Sequence, residues 1–303
     1  MSAQKSIIVG IDYSPHSANA LREASRIANS CNLPLVCFHI LDRDILGNLE
    51  NMESYTQEGV LNFATEKMDD FIRDVIGTSH EIETVVTIGH PFEETLKLVD
   101  IHHAETLVLG SRGFETDENH EVGSLASRCI RKAPVEVLLV RNAQESPFRN
   151  IVACVDFSDT ASLAVHRAAE IAVQDGANLR LVHVYQPPIY ADSEIGWMGP
   201  AFPMIQEHEL QGNCEGRLEE LGYLIGRKYN LHNISTVVKC SQSVHHGIRE
   251  ALEEMDADLV VLGTRGRTGF KALLLGTAAE GLIRHTPCSA LAIKPVGFEY
   301  SLH

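Results

Sequence analysis

Residues 7–21 read IIVGIDYSPHSANAL, and residues 150–165 read NIVACVDFSDTASLAV. Each is an apolar run that ends in Asp and passes through an aromatic and a Ser into a helical pattern. Working outward from this pair, the same order of pieces recurs about 150 residues apart. PLVCFHIL (34–41) matches LRLVHVYQ (179–186), and ETLVLGSRG (105–113) matches DLVVLGTRG (258–266). VEVLLVR (135–141) matches SALAIKP (289–295). A repeat of this length is a whole domain used twice, so the chain reads as a tandem duplication. Its seam falls in the polar, Pro-containing NAQESPF (142–148), giving domains at 1–144 and 145–303.

Within each copy, short strand-like runs alternate with longer helical patterns, the signature of a parallel sheet covered on both faces. Ser14 is placed to cap the first helix with Pro15 at its first turn, and Ala18, Leu21, Ala24 and Ala28 form its apolar stripe. Ser158 and Ala161, Val165, Ala168 and Ala172 repeat that design. Five strands per copy follow, an α/β fold of two Rossmann-like domains. A last strand such as VEVLLVR is adhesive at an open edge. Pairing between the two halves, a pseudo-dimer inside one chain, would cover it; further homo-oligomers stay open.

With 303 residues, each copy is long enough to bury its own core. The 41 acids against 25 bases leave a net charge of −16, a field that repels nucleic acid and anionic membrane. An anionic ligand must therefore be met by locally arranged donors. The N-terminus MSAQKSIIVGID lacks the apolar run of a signal peptide, and no run approaches the roughly 20 residues needed to span a bilayer, which points to the cytoplasm. The seven cysteines lack a C-x-x-C pair and read as reduced core thiols. The His102-His103 and His245-His246 pairs read as surface histidines, since neighbours on a helix diverge by about 100°.

A ligand in such a fold sits where strand order reverses, beyond the carboxyl ends of the strands. The loop after the first strand carries Asp12 or Asp156; each is either a ligand contact or a charge serving the helix N-terminus. The loop after the fourth strand carries GTRGRTGFKALLLGT (263–277) in one copy and GSRGFETDENHEVGS (110–124) in the other. Gly263, at a strand end, suits a sharp turn, and Gly266 lets backbone N–H groups approach an anion. Gly276 and Thr277 open the next helix, whose first residues run AAEGLIRH from Ala278. Arg265, Arg267 and Lys271 supply counter-charge, and no acid lies between Gly263 and Gly276. This reads as a polyphosphate cradle, though neither the P-loop motif nor G-x-G-x-x-G is present.

The spacing G-x2-G-x9-G-[ST], the first strand ending Asp-aromatic-Ser and the closing IRHTPCSALAIKP together resemble the universal stress protein family in its tandem form. The resemblance runs over nearly the whole chain. It implies five-stranded domains with strand order 3-2-1-4-5, and ATP as the ligand where the glycine pattern is kept. It further implies that Gly263, Gly266, Gly276 and Thr277 hold the phosphates and that Asp156 lies near the ribose and any metal. Arg265 and Ala278 border that cradle, and Val184 and Leu262 border the adenine.

The first copy keeps Asp12, Gly110, Gly113, Gly123 and Ser124, but its spacer holds Glu115, Asp117, Glu118 and Glu121. A carboxylate about 6 Å from a phosphate costs roughly 3 kcal/mol at an effective dielectric near 20. At about 1.4 kcal/mol per factor of ten, one such clash weakens binding more than a hundredfold. ATP is therefore expected mainly in the C-terminal half, with the N-terminal site weak; the acids could instead recruit Mg2+ accompanying a nucleotide. Such a protein reads as an ATP-binding regulator of stress response whose output is a change of shape or of partner, a regulatory protein being one candidate partner. A slow ATP-hydrolysing enzyme and a nucleotide-free interaction scaffold are the alternatives. Finally, QPPIYADSEIGWMGPAFPMIQ (186–206) reads as a long irregular connection, either a lid or partner surface or a plain excursion.

Overall fold

The computed structural model describes residues 4–46, 56–77, 82–112, 122–141, 147–187, 201–265 and 286–300. By their contacts these form two compact units, Met1–Glu145 with Ser289–His303, and Ser146–Cys288.

The first unit is built on strands β1 (Ser6–Gly10), β2 (Leu35–Asp42), β3 (Ile82–Gly89), β4 (Ala104–Gly110) and β5 (Glu136–Val140), all parallel and ordered β3-β2-β1-β4-β5. That is the order the family resemblance implies. Continuous apolar runs form the central strands because both faces are covered: Ile7, Ile8 and Val9 of β1 and Leu107 and Val108 of β4 are all buried. Helices α1 (Pro15–Cys31) and α3 (Gln57–Ile76) pack together on the sheet, and α4 (Pro91–Ile101) and α5 (Ser124–Lys132) form a second pair that packs on strands the first pair also touches. A single turn, α2 (Arg43–Leu46), follows β2.

The cap on α1 forms as the sequence requires: the Ser14 side chain accepts from the Ser17 N–H at 3.1 Å with Pro15 at the first turn. The buried stripe is wider than the alanine pattern predicts. Ser17, Ala20, Leu21, Ala24 and Ala28 are buried while Ala18 is half-exposed, and Glu23 is buried too. Glu23 is tolerated there because Arg26 donates to both of its oxygens, at 2.6 and 3.0 Å.

The open edge of β5 is covered. Strand β10 (Ser289–Ile293), the fifth strand of the second copy in sequence, pairs with it antiparallel, Ala290 opposite Leu139 and Ala292 opposite Val137. All five residues of β10 are buried. Just beyond it, Lys294 is buried as well and donates to the Ile130 carbonyl near the end of α5. Burial pulls its ammonium down to about 7.

In the second unit β6 (Asn150–Cys154), β7 (Asn178–Tyr185), β8 (Ile234–Cys240) and β9 (Leu259–Gly263) run parallel in the order β9-β6-β7-β8. Helix α6 (Asp159–Asp175) is capped by Ser158, which accepts from the Ala161 N–H at 3.2 Å. It buries Ala161, Val165, Ala168 and Ala172, the whole stripe read from sequence. Helices α7 (Ala201–Tyr229) and α8 (Val244–Glu254) complete this unit's described helices. The end of the long connection read at 186–206 is therefore helical from Ala201 on, and residues 188–200 lie outside the described residues.

All seven cysteines are free thiols, but they are not uniformly core: Cys31 and Cys240 are exposed and Cys154 is half-buried. Cys31 ends an exposed helix turn between Ser30 and Asn32, and Cys240 ends the outermost strand of its unit between Lys239 and Ser241, so both have polar neighbours. Among the described residues, no helix is long and apolar enough to cross a membrane.

Candidate functional site

In the first unit β1 has β2 on one side and β4 on the other, so the chain reverses direction across the sheet between β1 and β4. The loops leaving those two strands part, and a cleft of about 410 Å3 opens between them. It is lined by Asp12, Gly110, Arg112, Gly123 and Ser124, five residues that lie up to 112 positions apart in sequence. Phe38, His39, Ile40, Pro91 and Leu109 form its more apolar side.

The geometry at the first loop is tightly determined. Asp12 Oδ1 accepts from the Ser14 N–H at 3.0 Å, a turn that bends the chain from β1 into α1. Tyr13 between them takes a left-handed conformation, φ 65°, unusual for an aromatic residue. Its ring rests on His39 with centroids 4.7 Å apart, and the Lys67 ammonium sits 4.1 Å from the same ring. His39 Nδ1 is 2.7 Å from the Ile11 carbonyl, which can only accept, so Nδ1 carries the proton. Burial, with Lys67 nearby, pulls the His39 pKa below its ordinary value.

The second unit repeats this junction with Phe157 in place of Tyr13 and Arg217 in place of Lys67. Asp156 Oδ1 accepts from the Ser158 N–H at 2.9 Å, and Phe157 has φ 59°. The Phe157 ring lies 4.7 Å from His183 and 4.0 Å from the Arg217 guanidinium, and His183 Nδ1 is 2.6 Å from the Val155 carbonyl. The histidine and the cation escape a reading by motif because they come from other elements, β2 and α3 or β7 and α7. The signal that could have found the histidine is the shared His of PLVCFHIL and LRLVHVYQ.

The strand-end glycines have a different role from the sharp turn read from sequence. A Cβ on Gly110 would come within 2.8 Å of the His16 carbonyl carbon, and one on Gly263 within 2.9 Å of the Thr160 side chain and 3.1 Å of its carbonyl carbon. Neither glycine has a positive φ. Each is small so that β4 or β9 can pass against the first turn of α1 or α6, which draws the two sides of the crevice together.

At the far side of the first cleft, Gly123 occupies the N-cap position of α5 and brings no side-chain acceptor, and no acid stands in that helix's first turn. The N–H groups of this end and the Arg112 side chain make the cleft floor attractive to an anion. His16, behind Gly110, has its pKa lowered by burial and by Arg112. Gly113 and the acids Glu115, Asp117, Glu118 and Glu121 lie outside the described residues.

In the second unit Gly263 and Arg265 are described, and the Arg265 carbonyl accepts from Ser158 Oγ at 3.4 Å, which holds the start of the loop over the N-terminus of α6. Gly266, Arg267, Lys271, Gly276, Thr277 and Ala278 lie outside the described residues. Val184 and Leu262 are buried at the ends of β7 and β9. The repeat equates them with Ile40 and Leu109, which line the first cleft. Of the paired histidines, His102 is largely covered, its ring 3.5 Å from Glu83, whereas His246 is half-exposed beside Glu250.

The first unit places a crevice at the strand reversal, with a helix N-terminus on one wall and an Asp-aromatic-Ser junction on the other, and the second unit repeats the strand order and the junction of this α/β class. Comparison with known proteins narrows it. The universal stress protein family profile matches residues 4–141 and again 147–294. The chain belongs to the universal stress protein family, in tandem form. It is 28% identical over 327 aligned positions to Universal stress protein E of Photorhabdus laumondii, covering 99% of this chain and 98% of that one. To a universal stress protein of Mycolicibacterium smegmatis it is 24% identical, covering 95% and 97%. Its fold matches a crystal structure of a universal stress protein from Archaeoglobus fulgidus with a TM-score of 0.64 at 17% identity, covering 95% and 98% of the two chains.

Proposed function

We propose that this protein is an ATP-binding regulator of stress response, with the nucleotide held mainly by the C-terminal half. The observation that carries the reading is the meeting of Asp12, Gly110, Arg112, Gly123 and Ser124 around one cleft at the strand reversal. Their counterparts Asp156, Gly263 and Arg265 leave the same strand ends in the other copy. There the spacer is basic, and Gly266, Gly276, Thr277 and Ala278 continue the cradle in sequence. Val184 and Leu262 supply the apolar wall for a purine, and Asp156 stands where a ribose or a nucleotide-bound Mg2+ would be met.

The Asp156 carboxylate already accepts the Ser158 N–H. A carboxylate committed to shaping a loop is better suited to positioning a ligand than to taking a proton from water. The output on this reading is a change in what the protein binds, governed by nucleotide occupancy.

A calorimetric titration of the full chain with ATP and Mg2+, beside a Gly276→Glu variant, tests the proposal. One site is expected, weakened more than about a hundredfold by a carboxylate placed against the phosphates. No binding in either protein would turn the account to a nucleotide-free scaffold.

A further inference from the structure

On the rim of the first cleft, Asp42, Asp44 and His90 converge from three different places. Asp42 is the last residue of β2, Asp44 lies in α2, and His90 follows the last residue of β3. One donor atom from each lies within 4.8 Å of the others. The β2–β3 ladder fixes two of them, because Asp42 stands opposite Gly89 and His90 is the next residue. His90 occupies the N-cap position of α4 yet makes no capping hydrogen bond. Its Nδ1 is 4.0 Å from Asp44 Oδ2, too far for a hydrogen bond; two ligands of one tetrahedral ion stand about 3.3 Å apart, so a small rotation of these exposed side chains would close the gap. Asp42 Oδ1 accepts the Asp44 N–H at 3.0 Å, a turn that brings the second carboxylate back toward the first.

The second copy gives the contrast. Leu41 stands opposite Ile88 and Tyr185 opposite Cys240, so the positions matching Asp42 and His90 are Gln186 and Gln242. There the Gln186 side-chain amide donates to the Gln242 carbonyl at 2.8 Å, and Pro188 stands in sequence where the first copy has Asp44. The same scaffold closes this corner with a neutral hydrogen bond in one copy, and gathers two carboxylates and an imidazole in the other.

We propose that Asp42, Asp44 and His90 form a binding site for a divalent transition cation of the Zn2+ class. Two carboxylates would draw any divalent cation, and the imidazole nitrogen favours the softer ions over Mg2+ and Ca2+. Three protein donors leave coordination positions for water or for oxygens of a bound molecule. Ile40 and Pro91, the close sequence neighbours of Asp42 and His90, line the cleft, so those positions border the ligand site. Asp44 and His90 are exposed, which gives an ion an open approach.

The test is a Zn2+ titration of the full chain without nucleotide, so that its outcome is independent of ATP binding. It is run beside Asp44→Asn, His90→Gln and, as a control for the 15 histidines of the chain, His246→Gln. The expected result is one site that resists an equal concentration of Ca2+, weakened at least about tenfold in both Asp44→Asn and His90→Gln and unchanged in His246→Gln. Both rim substitutions are at exposed side chains, and circular dichroism checks that each variant is folded. No site in the parent chain, unchanged binding in the two rim variants, or displacement by Ca2+ would each overturn the proposal.

Discussion

The two copies agree at one place and part at another. At the turn from first strand to first helix they match closely: Asp to Ser N–H at 3.0 and 2.9 Å, an aromatic residue at φ 65° and 59°, a histidine with its ring 4.7 Å away and a cation over the aromatic ring. In the loop after the fourth strand the glycine frame is kept while the spacer is acidic in one copy and basic in the other. The difference teaches where the fold constrains sequence. The junction ties a strand, a helix and two further elements together, so a change there is felt in the core.

The largest effect that could break this comparison is steric. Gly110→Ala would drive a methyl into the backbone of α1 and is expected to cost about 3 kcal/mol in urea unfolding; Gly263→Ala, where the first atom met is the Thr160 methyl, should cost somewhat less. Tolerance of either substitution would mean that the strand does not need to pass so close to the helix. Next comes the contrast at the ends of the last strands, half-buried Arg141 against buried Lys294. With its folded pKa near 7 and an unfolded value of about 10.4, Lys294 binds a proton in the unfolded chain that the folded chain lacks between those limits. Stability must then rise with pH across that window, by at most about 1.4 kcal/mol per unit. Relative to Lys294→Met, the parent chain should gain about 2 kcal/mol between about pH 7 and about pH 9; a constant difference would show that the amine stays charged in the fold. The smallest effect sharpens the agreement. Ser14→Ala and Ser158→Ala remove equivalent caps and should each cost about 1 kcal/mol, within a few tenths of each other.

Much of this was legible in the sequence because it depends on local pattern. The repeat, the alternation of strand and helix, both serine caps and the stripe of α6 follow from spacing alone. The adjacency of β1 and β4, and of β6 and β9, came from the family resemblance and from placing the reversal there, not from spacing. What escaped depends on partners far away in sequence. The close pass of Gly110 over His16 is set by how β4 lies on α1. The covering of β5 was expected from the tandem repeat, whereas its antiparallel register, Ala290 opposite Leu139, was not legible. Ala20 shares the stripe with Ser17, Leu21 and Ala24, whereas Glu23 is buried against the expectation for its type, with Arg26 donating to both of its oxygens. Asp42, Asp44 and His90 meet only once β2 and β3 are in register, and in sequence each is an ordinary polar residue at the end of an element.

On the proposed function, the two copies share one frame and spacer charge decides which half holds nucleotide. The most direct test of that claim starts from the Gly276→Glu chain, in which the C-terminal site is expected to be lost, and replaces Glu115, Asp117, Glu118 and Glu121 by their amides. Titrated with ATP and Mg2+, this chain should recover one site, now in the N-terminal half and abolished by a further Gly123→Glu. If the four amides restore no binding, charge is not what silences the first copy, and the claim fails.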